Sequence, residues 1–254
     1  MKPEKFEQYL SKLEVDVEFT HMMMASKRIL AVSPHPDDME IAAGGYLSLM
    51  VASGSTVRLV VVSDGSKGTT QRGVQERDLA ETRKKEQLEA AKILGVSGVE
   101  FLGYTDSEVP EPRGIRDRLM GVIRDFSPSL VVTLDPYLPY EAHLDHVHVG
   151  KAVMEAVLLH LHPTIGLGTP LSPRPSVALA ATANPNVIIN IDDSFDVKMR
   201  AIRAHESQMD SSGYIVDTIR SLSQVYGRKI GCSHGEPFRY LEGEMLHMDV
   251  LAGL

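Results

Sequence analysis

Short β-branched, apolar runs alternate along the chain with longer segments of helical periodicity, and this alternation limits the fold more than any other feature. Arg28 to Val32, Thr56 to Val62, Val99 to Leu102 and Leu130 to Leu134 read as buried strands. Between them, apolar spacing predicts helices over Glu40 to Ala52, over Gln75 to Leu94 with Gly95 as a C-cap, and over Arg116 to Phe126. Strand and helix in strict succession imply an α/β protein with a parallel sheet and right-handed crossovers. Ser176 to Ala183 and Val187 to Ile191 read as two more strands, reached through a proline-rich loop, Pro170 to Pro175. Amphipathic helices are predicted at Glu4 to Leu13, with Phe6, Leu10 and Leu13 on one side, and at Asp196 to Gln208. The tail from Cys232 onward reads only as short strand pieces and loops. Nothing in the 254 residues marks a repeat, a low-complexity tract or a linker, so one domain over 1–254 is expected.

Composition excludes several classes of function. A net charge of −8 with no long basic run argues against a nucleic-acid or anionic-membrane partner. No stretch approaches the roughly 18 apolar residues of a membrane span, and the charged first residues lack the apolar core of a signal peptide. A single cysteine, Cys232, rules out an internal disulfide framework and a cysteine-type zinc site. It fits a reducing compartment, and a cytoplasmic location is expected.

The chemistry-bearing residues fall in two clusters, each after a predicted strand. The first is His35-Pro36-Asp37-Asp38, between the first strand and its helix. Pro36 restricts His35 to extended geometry. Neighbouring carboxylates repel each other unless a cation or a proton is shared between them. The second lies in a predicted loop, Asp135 to Gly150, which carries His143, Asp145, His146 and His148. In open α/β sheets the strand ends form the ligand crevice, so His146 can reach the place where His35 and Asp38 lie. Histidine, aspartate and histidine form a ligand set for zinc, and three ligands with an open position are the catalytic arrangement. Only one of Asp37 and Asp38 need bind metal, which frees the other to act as a base. His143 is the candidate to stabilise a negative oxygen. The pattern points to hydrolysis of an amide or ester. Taken singly, the same residues have plainer uses. Asp37 or Asp38 alone could cap a helix, Arg83 and Glu86 could form a surface ion pair, and Ser63 to Thr70 (SDGSKGTT) reads as a mobile loop without phosphate-loop spacing.

Taken together, the motifs carry a resemblance. HPDD-x-E followed by Gly44-Gly45, then Arg83-x-x-Glu86 with Ala91, Leu94, Gly95 and Val96, then H-x-D-H, resemble the LmbE-like or PIG-L family of zinc-dependent N-acetylglucosaminyl deacetylases. Lys198 to Gln208 (K-x-x-A-I-R-x-H-x-S-Q) and Glu236-x-Phe238-Arg239 extend the match, and DPYLPYEAH is most similar to the diacetylchitobiose deacetylase branch. The resemblance implies a Rossmann-like three-layer fold with a mostly parallel sheet and a C-terminal extension. It implies zinc held by His35, Asp38 and His146, with Asp37 as general base and His143 at the oxyanion. Asp145 would orient a histidine, and Arg83 and Asp106 would hold sugar hydroxyls. It further implies a small amino-sugar substrate and a homo-oligomer, trimer or hexamer, for which Tyr137 to Tyr140 could line a rim or interface. The family pattern H-P-D-H-R is here H-L-D-H-V-H, so Leu144 and Val147 depart from it, and His148 has no family role. The alternatives are a deacylase of another N-acylated amine or thiol-sugar conjugate, and a catalytically lapsed metal-binding relative. A dinucleotide role is weak, because no G-x-G-x-x-G follows the first strand.

Overall fold

The four leading strands form where the alternation places them: β1 (Arg28–Ser33), β2 (Thr56–Ser63), β3 (Gly98–Tyr104) and β4 (Leu130–Leu134). The computed structural model describes residues 3–169, 173–209 and 214–248, with side chains from Gln8 onward. The Phe6 side chain and residues 170–172 of the proline-rich loop lie outside the described residues. β5 (Ser176–Ala180) continues the parallel set beside β4, and β6 (Val187–Asn190) forms the far edge. Between them runs β7 (Gly235–Leu241), antiparallel to both, which gives the order β3-β2-β1-β4-β5-β7-β6.

The helices are α1 (Pro3–Lys12), α2 (Val17–Ala25), α3 (Asp38–Ala52), α4 (Glu76–Leu94), α5 (Pro112–Phe126), α6 (Leu144–Leu159), α7 (Phe195–Arg203) and α8 (Tyr214–Ile230). Period-2 alternation sorts the strand side chains between two faces. Ile29, Ala31, Leu59 and Val132 meet Met39, Ala43 and Met50 of α3 and Met199 and Ile202 of α7. Leu30, Val32, Val60 and Val131 meet Ile115 and Leu119 of α5 and Val149 and Val153 of α6. The sheet is therefore the middle of three layers. Burying one such side chain contributes roughly 1.5–3 kcal/mol, so a one-residue slip of a central strand would forfeit a whole row. Among the described residues no helix is long and apolar enough to cross a membrane.

Four features depart from the sequence reading. The segment predicted as a loop through Gly150 turns into α6 at Leu144. Gly150 dilutes the apolar periodicity there, and its place is fixed by space: a Cβ would come within 2.8 Å of the Leu134 carbonyl oxygen. The predicted helix through Gln208 ends at Arg203, and a separate 3-10 turn covers Glu206–Gln208. The tail is a seven-residue strand paired on both sides. Its Pro237, opposite Ile188, lacks a ladder donor, which is why proline ordinarily argues against a central strand. Helices α2 and α8 lie where no helix was predicted.

One buried carboxylate on β7 ties the strand to both α3 and α7. Glu236 accepts the backbone N–H groups of Gly45 (2.9 Å) and Tyr46 (2.6 Å) and the Lys198 ammonium (2.6 Å). Both charged side chains are almost fully buried. Glu236→Ala strands the Lys198 charge and two amide donors, so a loss of about 3–5 kcal/mol is expected in denaturant unfolding. A loss below about 1 kcal/mol would mean that the tie contributes little.

Candidate functional site

The strand order reverses between β1 and β4: from β1 the chain builds outward through β2 to β3, then returns to β4 on the other side of β1. The crevice at such a switch point is where α/β sheets bind ligands, and both residue clusters open into it. His35 lies in the turn after β1, Asp37 is the N-cap residue of α3 and Asp38 its first residue. His143 is the N-cap residue of α6, and Asp145 and His146 lie in its first turn.

The two clusters meet. Asp38 accepts from the His35 backbone N–H at 2.8 Å and lies 3.2 Å from His35 Nδ1, while its other oxygen is 3.6 Å from His146 Nε2. The His35 and His146 ring centroids are 5.1 Å apart. His143 meets His35 edge-on at 4.5 Å and stacks on His146 at 4.7 Å. His35 Nε2 faces Asp145 at 3.1 Å and Asp106 at 3.4 Å. One ligand atom each from His35, His143 and His146 lies within 4.8 Å of the others, and the same holds for His35, Asp106, His143 and Asp145. Three imidazoles ringed by carboxylates form a donor set that suits a divalent cation of the zinc type.

Charges in the cluster act strongly on one another. Burial works against charge on His35, but hydrogen bonds to Asp106, Asp145 and Asp38 outweigh it and push the imidazole up to about 11. Burial, and then the Asp38 charge, push Asp37 up to about 7, against the pull of Arg83 and His205. Asp38 is held down despite its burial by the hydrogen bond from His35. Burial and the neighbouring charges of His35 and His146 hold His143 down. Two adjacent carboxylates thus have their proton affinities moved in opposite directions, the arrangement that separates a base from a ligand.

Arg83 is no partner of Glu86. It is almost fully buried, lies 3.2 Å from Asp37 Oδ1, and donates to the carbonyls of Pro36 and Gly65. Glu86 instead accepts from Ser207 N and Oγ. Asp106 is also buried, and accepts from Lys67 N and Ser107 Oγ. The Ser63 to Thr70 segment is held at several points: Asp64 Oδ1 accepts from Ser66 N and Asp106 N, and Ser66 is buried. His148 points to the Val109 carbonyl, away from the cluster. Leu144 is largely exposed at the rim, with Tyr137 and Tyr140.

Sequence reasoning missed Glu141, which accepts from His143 N at 2.7 Å and lies 3.4 Å from His146 Nδ1. It also gave no role to Glu40, Gln87 or His205, which are wholly buried behind Asp37. Glu40 and His205 stand inside quoted motifs, whereas Gln87 looks like any polar helix residue. A cavity of about 180 Å³ is bordered by Asp38, Ile41, Leu134, Leu138, Glu141 and His146. A larger one, about 450 Å³, also reaches Asp135 and is lined by Tyr137, Asn184 and Arg239.

Residues 30–157, which include both clusters, match the PIG-L family, described as GlcNAc-PI de-N-acetylase. The chain is 35% identical to diacetylchitobiose deacetylase of Thermococcus kodakarensis over 252 residues, covering 96% of this chain and 94% of that protein. The chain belongs to the PIG-L family. The chain is also similar to a probable N-acetyl-α-D-glucosaminyl L-malate deacetylase 2 of Bacillus cereus, 30% identical over 73% of this chain and 85% of that one. The solved structure of N,N'-diacetylchitobiose deacetylase from Pyrococcus horikoshii, complexed with its inhibitor, superposes with a TM-score of 0.85 at 34% identity, covering 98% of this chain and 96% of the other.

Proposed function

We propose that this PIG-L enzyme is a zinc-dependent deacetylase of N-acetylated amino sugars of the N-acetylglucosamine or diacetylchitobiose type. The observation that carries the reading is the convergence of the two clusters: His35, His143 and His146 lie together, Asp38 reaches His35 Nδ1 at 3.2 Å and His146 Nε2 at 3.6 Å, and Asp37 precedes Asp38 in the chain. His35, Asp38 and His146 would hold the metal. When bound, zinc polarises a carbonyl and lowers the proton affinity of water.

The remaining work falls to the protein's own groups. Asp37, raised towards neutrality, takes the proton of the attacking water as the new C–O bond forms. Arg83 keeps its carboxylate in place. His143 donates to the negative oxygen of the tetrahedral intermediate. Asp37 then returns the proton to the leaving nitrogen as the C–N bond breaks, and acetate and a free amino sugar depart. Asp145 fixes the His35 ring through the 3.1 Å contact. By the family resemblance Arg83 and Asp106 would hold sugar hydroxyls, although both side chains are almost fully buried and already bonded within the protein. A single working domain over the whole chain is part of this reading, supported by the joining of the seven strands among the described residues in one sheet. So is a homo-oligomer, trimer or hexamer, supported by exposed Tyr137, Tyr140 and Leu144 at the rim. A cytoplasmic location is supported by the single cysteine.

The test is acetate release by purified, zinc-loaded protein from N-acetylglucosamine and N,N'-diacetylchitobiose, beside an N-acylated thiol-sugar conjugate. Turnover of the acetylated sugars is expected. Hydrolysis of the thiol-sugar conjugate alone would move the substrate class, in keeping with Leu144 and Val147 in place of the family's proline and arginine. Inactivity on all three would overturn the deacetylase reading.

A further inference from the structure

Asp37 carries the chemistry on a strained backbone. Its φ is 106°, a region that L-residues enter only when their surroundings hold them there. Its carbonyl accepts from Ile41 N at 3.0 Å, but its side chain makes no capping bond, so α3 leaves the peptide on the N-terminal side of Asp37 unheld.

The hold comes from one face of α4. The peptide group joining Pro36 to Asp37 has its carbonyl oxygen bonded by Arg83 Nη2, and its N–H donates to Gln87 Oε1 at 3.2 Å. Arg83 and Gln87 are four residues apart and share one side of the helix. A single peptide plane is thus clamped from both edges, and Arg83 also grips the carboxylate that the plane carries. The Arg83 half is self-orienting, since a guanidinium only donates. The Gln87 half is not: a flipped amide would set its NH2 against the Asp37 N–H. Glu40 prevents the flip. It accepts from Gln87 Nε2 at 2.7 Å, which leaves the amide oxygen facing Asp37. The second Glu40 oxygen faces His205 Nε2 at 3.5 Å, and neither His205 nitrogen has a hydrogen-bond partner. Glu40, Gln87 and His205 are each 0% exposed. A buried carboxylate and imidazole of this kind are costly to keep.

We propose that Gln87, fixed in one orientation by Glu40 with His205 behind it, is a positioning residue that sets the Pro36–Asp37 peptide and through it the direction of the Asp37 carboxylate. This rests on the reading of Asp37 as the base. The break of the last predicted helix at Arg203 has a use here, because it delivers His205 to this buried position.

The test uses the zinc-loaded enzyme with Gln87→Met, which keeps length and loses both hydrogen bonds. A fall in kcat of about tenfold or more is expected, with KM and zinc content unchanged. Backbone amides of residues 34–38 should exchange with deuterium faster than in the wild type. Glu40→Leu should lose kcat in the same way, and Glu40→Gln, which restores an acceptor for Gln87, should recover most of that loss. If Gln87→Met does not fold, the Glu40 pair carries the test, since it leaves Gln87 in place and changes only what fixes its amide: the loss in Glu40→Leu and its recovery in Glu40→Gln are expected. Unchanged kcat and exchange, or a loss seen only in KM or zinc content, would overturn the proposal. Should the wild type hydrolyse no acetylated sugar, the deacetylase reading falls, and the exchange rates alone decide whether Gln87 holds the peptide.

Discussion

Asp37→Asn is expected to keep its metal and lose its turnover, with kcat falling by about 10²–10⁴-fold. The substitution suits the question because asparagine differs from aspartate at one atom. Asparagine is also among the few residues that tolerate positive φ, so the turn at 106° should survive. Its amide oxygen can still accept from Arg83, and its backbone N–H can still donate to Gln87. The loss is confined to the group that takes up a proton. Acetate release measured beside zinc content and thermal unfolding separates this from general damage. Full turnover in a zinc-loaded variant would remove Asp37 from the role of base and leave Glu141 as the next carboxylate at the site, 3.4 Å from His146.

The layered fold and the meeting of the two clusters were legible because they rest on local signals. β1, β2 and β4 are runs of β-branched and aliphatic residues buried on both sides, and such strands announce themselves. His35 and His146 could be placed together because each follows a strand, and parallel neighbours end on the same edge of a sheet. The tail was illegible for the converse reason. β7 holds Glu236, Pro237 and Arg239 among its seven residues, and only its partners on both sides make it a strand. Glu236 stands in a quoted motif, but its neighbours in the chain do not show that Lys198 and the amides of α3 surround it. Gln87 is the extreme case. It sits in a helix crowded with Glu, Lys and Arg, and nothing in its neighbours marks it as wholly buried. The same holds for Arg83, whose i,i+3 relation to Glu86 suggests a pair that the packing of α4 against α3 replaces with Asp37. Local periodicity reports which face is apolar. It does not report a polar residue whose partners lie 47 positions away, as Glu40 does from Gln87.

The second large effect is expected at His146. It stands on α6, whereas His35 and Asp38 stand at the end of β1 and the start of α3, so the metal would bridge two otherwise separate pieces of chain. His146→Ala leaves two of three ligands. The variant should retain less than a tenth of the zinc kept by the wild type after dialysis, and lose deacetylation by about 10³-fold or more, because replacing even an outer partner of a ligand costs about 10–100-fold in metal affinity or activity. Folding should be little altered, since the His146 side chain is partly exposed. Wild-type zinc content in the variant would mean that His146 is not a ligand. A triad drawn from His35, Asp106, His143 and Asp145 would then be the better assignment.

The most direct test locates the ion. Crystals of the zinc-loaded protein, measured above and below the zinc absorption edge, should give one anomalous peak between His35, Asp38 and His146, about 2.0–2.2 Å from a nitrogen or oxygen of each. No peak there, or a peak bound by a set that leaves out either His35 or His146, would contradict the claim that the two clusters share a single metal.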